Sequence, residues 1–434
     1  MEVSLAFHII FAAVGIGLPL LMVIAEGLWL RTGREHYRAL AQKWAKATAL
    51  TFVVGAVSGT ALSFELGLLW PRFMALAGGV VGPTFALEGY AFFIEAIFIG
   101  LYLYGWDRLS PRAHWLTGVP VAVSGAASGV LVLAANAWMQ TPGGFQVAGG
   151  RLVAVDPLAP FKATAWLDMA LHSTLSSYIA TSFAVAGVYA AGMLRGRRDA
   201  YHRSALGIAL AIGTVTALLQ PLSGDISARR VARTQPAKLA AAEALFRTQR
   251  RAPLLLGGIP DAAAGRTRFG LELPGGLSLL VGHDLDTEVK GLDSVPPEQR
   301  PNVLVTHLAF DTMIGSAMLL IAAGVAYWVV RRRRKGDVAR PWLLRALLAS
   351  SPLGFLALEA GWLVTEVGRQ PWVIYNVMPT ADAVTPVTDV PVTFFGFSVV
   401  YLALGTALVL LLRRLATGAP APGGGAEEEV RSVA

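Results

Sequence analysis

Cysteine is absent from the 434-residue sequence, and histidine occurs only seven times. Without thiols the chain cannot form a disulfide, bind an iron–sulfur cluster, ligate haem through a thiolate or attach haem through a CxxCH motif. Any redox or metal chemistry in this chain therefore depends on histidine, methionine and carboxylate groups.

The small number of histidines excludes further kinds of site. Four fall in predicted loops: His36, His114, His202 and His283. Three lie within or at the ends of apolar segments: His8, His172 and His307. A bis-histidine dihaem cytochrome needs four histidines in the membrane, and a haem–copper centre needs more because imidazoles hold the copper. Neither can be built here, so a haem would take methionine or carboxylate as some of its axial ligands.

Charged residues are also scarce, at 15% of the chain against 55% hydrophobic residues. The mean hydropathy of +0.56 is far above that of a soluble domain of this length. We therefore predict an all-α integral membrane protein. Apolar runs predict nine transmembrane helices at residues 3–30, 47–70, 84–106, 115–138, 164–194, 204–223, 303–330, 342–366 and 392–412.

Among the short loops, those after the odd-numbered helices hold most of the Lys and Arg, including the run "RRRRK" at 331–335. By the positive-inside rule the amino terminus is predicted outside and the carboxyl terminus in the cytoplasm. The net charge of +8 thus reflects topology and gives no reason to expect nucleic-acid binding. The predicted organisation is helices one to six in 1–223, an external loop in 224–302, helices seven to nine in 303–414, and a flexible cytoplasmic tail in 415–434.

Eight carboxylates interrupt the predicted helices or lie at their edges: Glu26, Glu65, Glu88, Glu95, Asp168, Asp311, Glu359 and Glu366. Such residues are costly in a bilayer and usually mark cofactors or proton relays. Glu88 and Glu95 are seven residues apart and share one helix face, which is typical of a relay. Glu26 and Asp168 could equally lie at the membrane interface or along a wet seam.

The depth of four side chains suggests a cofactor layer near the outer face. His172 and Met313 lie at similar distances from the outer ends of helices five and seven, so they could hold a six-coordinate haem. Taken singly, each is more often an ordinary core residue. His8 and Glu366 fall in the same layer, and Arg369 with Trp372 could bind haem propionates.

Seven stretches resemble subunit I of cytochrome bd-type quinol oxidases, over nearly the full chain. They are "FHIIF", "ALEGYAFFIEAIFIGLYLYGWDRL", "ANAWMQTP", "LHST", "GDISARRVARTQPAKLAAAEALF", "GGIPD" and "EAGWLVTEVGRQPW". The resemblance implies nine helices, haems bound on this subunit, and an external quinol-binding loop between helices six and seven. The short loop resembles the short-loop type of the family.

The resemblance also implies roles for single residues. His172 and Met313 resemble the axial pair of a low-spin haem b that takes electrons from quinol. His8 and Glu366 resemble ligands of two high-spin haems, a haem b and a haem d or a third haem b in its place. Glu88 and Glu95 resemble an acidic pair beside the oxygen-reducing site, with Glu88 as a further haem ligand. Lys238 and Glu243 resemble quinol-binding residues. Trp362 and Arg369 resemble haem-packing residues.

The implied enzyme oxidises quinol and reduces dioxygen to water, and it builds a proton motive force without pumping. It would work in the bacterial cytoplasmic membrane with a second membrane subunit, and small single-span subunits could join them. Two alternatives stay open at this stage: a proton-coupled transporter, since such proteins also place acidic residues in helices, and a quinol-linked haem subunit that does not reduce oxygen.

Asp311 departs from the family pattern, in which an arginine is common at this position. A carboxylate near a haem favours the ferric state and lowers the midpoint potential. We therefore take Asp311 as a candidate for redox tuning toward a low-potential quinol such as menaquinol. The competing interpretation is that Asp311 pairs with a neighbouring cation or faces water.

Overall fold

A computed structural model describes residues 2–385 and 390–417. The chain forms fourteen α-helices over those ranges: α1 Glu2–Thr32, α2 Glu35–Leu69, α3 Pro71–Tyr104, α4 Pro111–Gln140, α5 Ala159–Lys162, α6 Trp166–Leu194, α7 Ala200–Thr234, α8 Pro236–Ala242, α9 Gly276–Gly282, α10 Val303–Arg333, α11 Pro341–Ser350, α12 Leu353–Val367, α13 Thr380–Ala383 and α14 Val390–Thr417. Within the described residues, nine segments are long and apolar enough to cross a membrane, as predicted.

The helices extend beyond the apolar runs that predicted them. α7 continues to Thr234, whereas the prediction ended it at residue 223. The charges beyond that point are paired, since Arg229 bonds Asp225 and Arg230 bonds Asp168, so they do not end the helix. The predicted loop at 224–302 therefore begins at Gln235.

The same extension corrects the positions of three histidines. His36, His114 and His202 lie in α2, α4 and α7, and not in loops as predicted. α14 likewise runs to Thr417, so the first residues of the predicted tail are helical. The rest of that tail, 418–434, lies outside the described residues.

The eighth predicted span consists of two helices. α11 ends at Ser350 and α12 begins at Leu353, with Pro352 at the junction. Proline lacks the backbone N–H that would continue the helical hydrogen-bond ladder, which accounts for the break. α12 contains the whole stretch "EAGWLVTEV", and it packs against α10 and α6.

Helices that follow one another along the chain pack as pairs: α1 with α2, α3 with α4, and α6 with α7. α1 also contacts α4 and α6, and α10 contacts α7. The main apolar core includes Leu21, Tyr102, Phe183, Leu210 and Tyr327, which are almost fully buried. α6, α7, α10 and α12 thus form one continuous set of contacting helices.

The segment between α7 and α10 has its own small core. It contains α8, α9 and two antiparallel ladders, β3 (Leu254–Leu256) with β6 (Leu271–Leu273) and β4 (Ile259–Asp261) with β5 (Arg266–Arg268). Leu239, Leu245, Leu277, Val289 and Leu292 are buried together within it. α8 and β4 contact α10 and α9 contacts α7, so this segment is packed onto the helices that flank it.

The strands are short, and hydropathy did not predict them. Their bounds are β1 Gln146–Ala148, β2 Arg151–Val153, β3 Leu254–Leu256, β4 Ile259–Asp261, β5 Arg266–Arg268, β6 Leu271–Leu273, β7 Trp372–Ile374 and β8 Met378–Pro379. β1 pairs with β2 between α4 and α5, and β7 pairs with β8 after α12.

Candidate functional site

His172 lies in α6 and faces α7. Its Nδ1 lies 2.9 Å from the Ser223 hydroxyl, which donates its only proton to the Gln220 carbonyl oxygen at 2.9 Å. With the Ser223 proton on the Gln220 carbonyl oxygen, Ser223 accepts from Nδ1, which assigns the imidazole proton to Nδ1. The other nitrogen, Nε2, keeps a lone pair, as a metal ligand requires.

The side-chain amide of Gln220 occupies the space next to this lone pair. Its Nε2 lies 3.0 Å from His172 Nε2, and it also donates to the His172 carbonyl oxygen and the Ser176 hydroxyl. An iron bound at His172 Nε2 would require the amide to turn toward those two other acceptors. Sequence reasoning missed Gln220, although a lone amide inside an apolar helix is a detectable signal.

His8 in α1 repeats the arrangement of His172. Its Nδ1 lies 2.9 Å from the Ser58 hydroxyl, which donates to the Val54 carbonyl oxygen of its own helix. Nδ1 is again the protonated nitrogen. The His8 side chain also has a hydrogen bond with the Gly55 backbone, three residues before Ser58 in α2. In both candidate haem ligands, Nδ1 thus faces a serine hydroxyl that donates its own proton to a backbone carbonyl oxygen. This arrangement assigns the imidazole proton to Nδ1.

His114 and His307 differ, because both nitrogens of each ring face oxygen atoms. His307 donates from Nδ1 to the Ala242 carbonyl oxygen at 2.7 Å, and its Nε2 lies 3.2 Å from Asp311. His114 lies 2.6 Å from Glu26 and 2.8 Å from the Tyr102 carbonyl oxygen. Neither ring presents a lone pair to a metal, so both are structural.

Two of the predicted intramembrane carboxylates are likewise paired within the protein. The Glu26 side chain is fully buried against His114, and Asp168 lies 2.7 Å from Arg230. A buried carboxylate with such a partner needs no cofactor to account for it. A partner within the protein thus accounts for both carboxylates, an explanation that differs from the relay and from the interfacial position considered from the sequence.

Met313 lies in α10 against α12. A Cβ added at Gly361 would lie 2.9 Å from the Met313 sulfur, closer than a methyl group can approach. Glycine at 361 thus leaves the space in which the sulfur sits. Sequence reasoning missed Gly361, although it lies inside the quoted "EAGW" stretch.

Glu366 and Arg369 form an ion pair at the end of α12. The other Glu366 oxygen, Oε1, accepts a hydrogen bond of 2.9 Å from the Asn136 amide of α4. Arg369 is 2% exposed. A guanidinium in such a place requires several acceptors, because burying an unpaired N–H is costly.

Three donors near Glu366 lack such acceptors. Arg369 Nε, Arg369 Nη1 and Trp362 Nε1 are buried, and no acceptor lies within hydrogen-bond distance of them in the described part of the chain. Carboxylates are the groups that match a guanidinium fork and an indole N–H. Haem propionates are such groups, so the donor set fits the haem that the sequence resemblance implies.

Glu88 and Glu95 both face α4. Glu88 accepts a hydrogen bond of 3.0 Å from Ser128, and a Cβ at Gly125 would lie 3.3 Å from a Glu95 oxygen. The seven-residue spacing therefore places both carboxylates on the face of α3 that meets α4, as the sequence predicts. Glu95 is buried, with 5% of its surface exposed.

Lys238 and Glu243 lie near each other in sequence but point to different partners. Lys238 in α8 donates to Gln140 Oε1 at 2.5 Å and to the Thr365 carbonyl oxygen at 3.1 Å. Glu243 follows the helix and is buried, and its Oε2 has no hydrogen-bond partner among the residues described. Burial and the nearby Asp311 carboxylate raise the pKa of Glu243 to about 8.

Together these features define a class: multi-pass helical membrane proteins whose buried imidazole, thioether and carboxylate groups suit a redox cofactor. Residues 1–420 match the family model of the cytochrome bd terminal oxidase subunit I. A Geobacillus thermodenitrificans bd oxidase structure matches with a TM-score of 0.91 and 37% identity, covering 95% of this chain and 96% of that one.

Two Bacillus subtilis (strain 168) proteins are similar over most of their length. One, provisionally named a cytochrome bd menaquinol oxidase subunit I, is 40% identical, covering 94% of this chain and 93% of the relative. The other, a cytochrome bd ubiquinol oxidase subunit 1, is 32% identical, covering 95% and 91%.

The chain belongs to the cytochrome bd terminal oxidase subunit I family. This confirms the predicted family, the helical membrane fold and the enzyme class, a quinol oxidase. Members of the family work with a subunit II, and the family implies haem cofactors. The nine apolar helices agree with a multi-pass protein of the bacterial inner membrane.

Proposed function

We propose that the chain oxidises a membrane quinol at the segment between α7 and α10, and reduces dioxygen to water inside the helix bundle. The observation that carries this proposal is the pair of histidines whose Nδ1 lies 2.9 Å from a serine hydroxyl, an arrangement that directs the Nδ1 proton to the serine and leaves Nε2 for a metal. A neutral imidazole so oriented can bind iron through Nε2, at His172 once the Gln220 amide has turned away. Two of them, together with the buried donors near Glu366, suit more than one haem.

His172 and Met313 would hold a low-spin haem b, whereas His8 and Glu366 would hold the high-spin haem b and the haem d or a third haem b. Bound haem supplies the one-electron steps and the open iron position that dioxygen needs. The chain contributes the tautomer at each histidine and the Gly361 space beside Met313. Arg369 and Trp362 would bind propionates through their unpartnered N–H groups.

The residues that would supply protons lie on a different helix from the proposed haem ligands. Glu88 and Glu95 lie where α3 meets α4, and we assign them to hold the protons that water formation consumes. With the amino terminus outside, quinol protons are released outside and protons for water come from the cytoplasm. The enzyme thereby builds a membrane potential without pumping, together with subunit II and any small single-span subunits.

The quinol head group would lie beside Glu243, whose Oε2 is free to bond a quinol hydroxyl. Lys238 already donates to Gln140 and Thr365, so at most one further N–H can reach a quinol. The assignment of both residues to quinol binding thus places Glu243 nearer the reacting oxygen. The charge state of Glu243 then decides whether it can accept a proton.

We expect quinol oxidation to depend on pH through Glu243. Its raised pKa of about 8 keeps the carboxyl protonated at lower pH, where it can donate a hydrogen bond but cannot accept a quinol proton. kcat/KM for quinol should rise with pH and level off above about 8, because this ratio reports groups of the free enzyme. Steady-state kinetics from pH 6 to 9.5 measure this profile.

Glu243→Gln should lower quinol turnover about tenfold or more and abolish the limb near pH 8, since an amide cannot accept the proton. Glu272→Gln is the matched control, because Glu272 lies exposed on β6 of the same segment. Oxidation of artificial donors that bypass quinol should continue in both variants. Loss of that bypass activity in Glu243→Gln would contradict a specific role in quinol binding.

The pairing of Asp311 with His307 bears on redox tuning. Asp311 lies two residues before Met313, and His307 Nε2 is 3.2 Å from its carboxylate. This contact supports the competing interpretation of Asp311, because a polar ring so close to the carboxylate offsets part of the effect of the carboxylate on the haem. Asp311→Asn should still raise the low-spin midpoint potential, by on the order of 50 mV or less.

A spectroelectrochemical titration of the native enzyme and of Asp311→Asn measures this shift. Asp337→Asn serves as the control, since that carboxylate lies beyond the opposite end of α10. A midpoint that stays constant or falls in Asp311→Asn would remove the electrostatic argument. The preference for menaquinol, which rests on that argument, would fall with it.

Oxygen uptake by the purified complex of this chain with its second subunit tests the proposed function. Added quinol should start oxygen consumption, with about one dioxygen consumed for two quinols because water formation takes four electrons. Quinol oxidation in the absence of oxygen, or reduction of the haems without oxygen uptake, would favour the alternative, a quinol-linked electron-transfer subunit that does not reduce oxygen.

A further inference from the structure

A buried side chain links the loop helix α8 to α4. Gln140, the last residue of α4, is 2% exposed. Its Oε1 accepts from Lys238 Nζ at 2.5 Å and from Gln235 Nε2 at 2.9 Å, and Gln235 also donates to the Gln140 carbonyl oxygen at 2.6 Å. Gln235 and Lys238, at the beginning of the loop, are therefore both bonded to Gln140 of α4.

The other end of that amide points toward Glu366. Gln140 Nε2 donates to Asn136 Oδ1 at 3.3 Å, one turn earlier in α4, and Asn136 Nδ2 donates to Glu366 Oε1 at 2.9 Å. Each amide accepts on one side and donates on the other, so the direction of every bond follows from the one before it. Turning Gln140 over would break the bonds at both of its ends.

Lys238 makes a second connection to the same turn of α12. Its Nζ bonds the carbonyl oxygen of Thr365, the residue before Glu366, and its stem lies against Gly368. Burial, with the Arg369 guanidinium nearby, lowers the pKa of Lys238 well below its ordinary value. The lysine is thus enclosed by the structure around Glu366.

We propose that Gln140 and Asn136 are positioning residues that couple docking of the quinol loop to the orientation of Glu366, through the bonded series Gln235–Gln140–Asn136–Glu366. The inference rests on the proposed role of Glu366 as a haem ligand. A loop that leaves α4 releases Gln140, and the hydrogen bond that orients the Glu366 carboxylate is then weakened. The state of the quinol site and the state of the ligand are linked by side chains that touch neither quinol nor iron.

A purely structural role for these amides would be to cap the end of α4. Capping involves backbone groups, and the Gln140 carbonyl does accept from Gln235. The side-chain bonds go beyond that need, because they end on a carboxylate of another helix. The two roles differ in one measurable respect: only coupling through the side chains lets both a substitution at Gln235 and a substitution at Asn136 affect Glu366.

Gln235→Met is the decisive variant, because it removes two hydrogen bonds without changing any charge. Hydrogen exchange by mass spectrometry on the intact complex should show residues 235–245 exchanging about tenfold faster, since one or two buried bonds are lost. The same variant should shift the absorption bands of the high-spin haem, although Gln235 does not contact Glu366. Thr141→Val is the control, because the Thr141 hydroxyl bonds only within α4.

Two further variants divide the series into halves. Gln140→Glu keeps two acceptors for Lys238 and Gln235 but loses the donor to Asn136. Asn136→Asp still accepts from Gln140 but cannot donate to Glu366 when ionised. Both should shift the high-spin bands, while loop exchange stays near native in Gln140→Glu and in Asn136→Asp.

Comparison with Glu366→Gln separates the possible failures. If Glu366→Gln shifts the high-spin bands while Gln235→Met and Asn136→Asp leave them unchanged, the coupling is wrong and the ligand assignment stands. If Glu366→Gln itself leaves the bands unchanged, the ligand assignment fails and the inference fails with it. Faster loop exchange in Gln235→Met without any spectral shift would reduce Gln140 to a structural cap.

Discussion

Met313→Leu is expected to convert the low-spin haem to a high-spin or labile form. Leucine nearly conserves the volume of methionine but has no sulfur to donate, so the fold should persist while the sixth ligand is lost. Gly361 leaves the space in which the sulfur sits. Quinol-driven turnover should fall about tenfold or more, because electrons enter through this haem.

Absorption and electron paramagnetic resonance spectra of the oxidised enzyme measure the spin state. Met318→Leu provides the matched control, since Met318 is on the same helix and half exposed. An unchanged low-spin signal in Met313→Leu would reject Met313 as a ligand. In that case His172 would need another partner for the sixth position.

Glu366→Gln should damage oxygen reduction far more than quinol binding. Glutamine can still accept from Asn136, but it carries no charge to pair with Arg369 and is a poor ligand for iron. Arg369, at 2% exposure, would then be a buried cation without its carboxylate, which is strongly destabilising locally. Oxygen turnover should fall by about a hundredfold, while KM for quinol changes little.

The measurements are oxygen uptake at saturating quinol and the spectrum of the high-spin haem. Glu298→Gln is the control, because Glu298 is an exposed residue of the loop before α10. Comparable oxygen turnover in Glu366→Gln would mean that Glu366 is an interfacial residue. The unpartnered N–H groups of Arg369 would then need a different explanation.

Hydropathy was sufficient to predict the membrane helices, because each needs a long apolar run whatever its neighbours are. Helix ends were predicted poorly, since charged residues beyond the apolar run can continue a helix when they are paired. Arg230 and Asp168 come from different helices, so no local pattern reveals their bond. Pro352 indicates a possible break in the helix, but the eighth apolar run was predicted as one helix because its hydropathy is continuous.

Whether a predicted site residue stays a candidate depends on the side chains that contact it in the fold. His8 and His172 stay candidates because serines of other helices fix their tautomers, a detail that the sequence does not contain. Asp311 was the reverse case: His307, four residues earlier, was available as a partner on the same helix face. The spacing alone could have favoured the pairing.

The amides Asn136 and Gln140 show what sequence reasoning did not reach. Both lie in "ANAWMQTP", which carried the family resemblance, yet neither was given a role. Their spacing of four residues places them on one face of α4, and two amides on one face of an apolar helix indicate a buried polar contact. Their partners, Glu366 and Lys238, are too distant in sequence for any local pattern to identify.

The most direct test of the oxidase assignment is a reduced-minus-oxidised absorption spectrum of the purified complex of this chain with its second subunit, combined with haem extraction. The account predicts bands of a low-spin haem b and of high-spin haem, reduced on adding quinol and reoxidised by dioxygen. Haem extraction should recover haem b, with haem d or further haem b. A colourless complex free of haem would contradict the account.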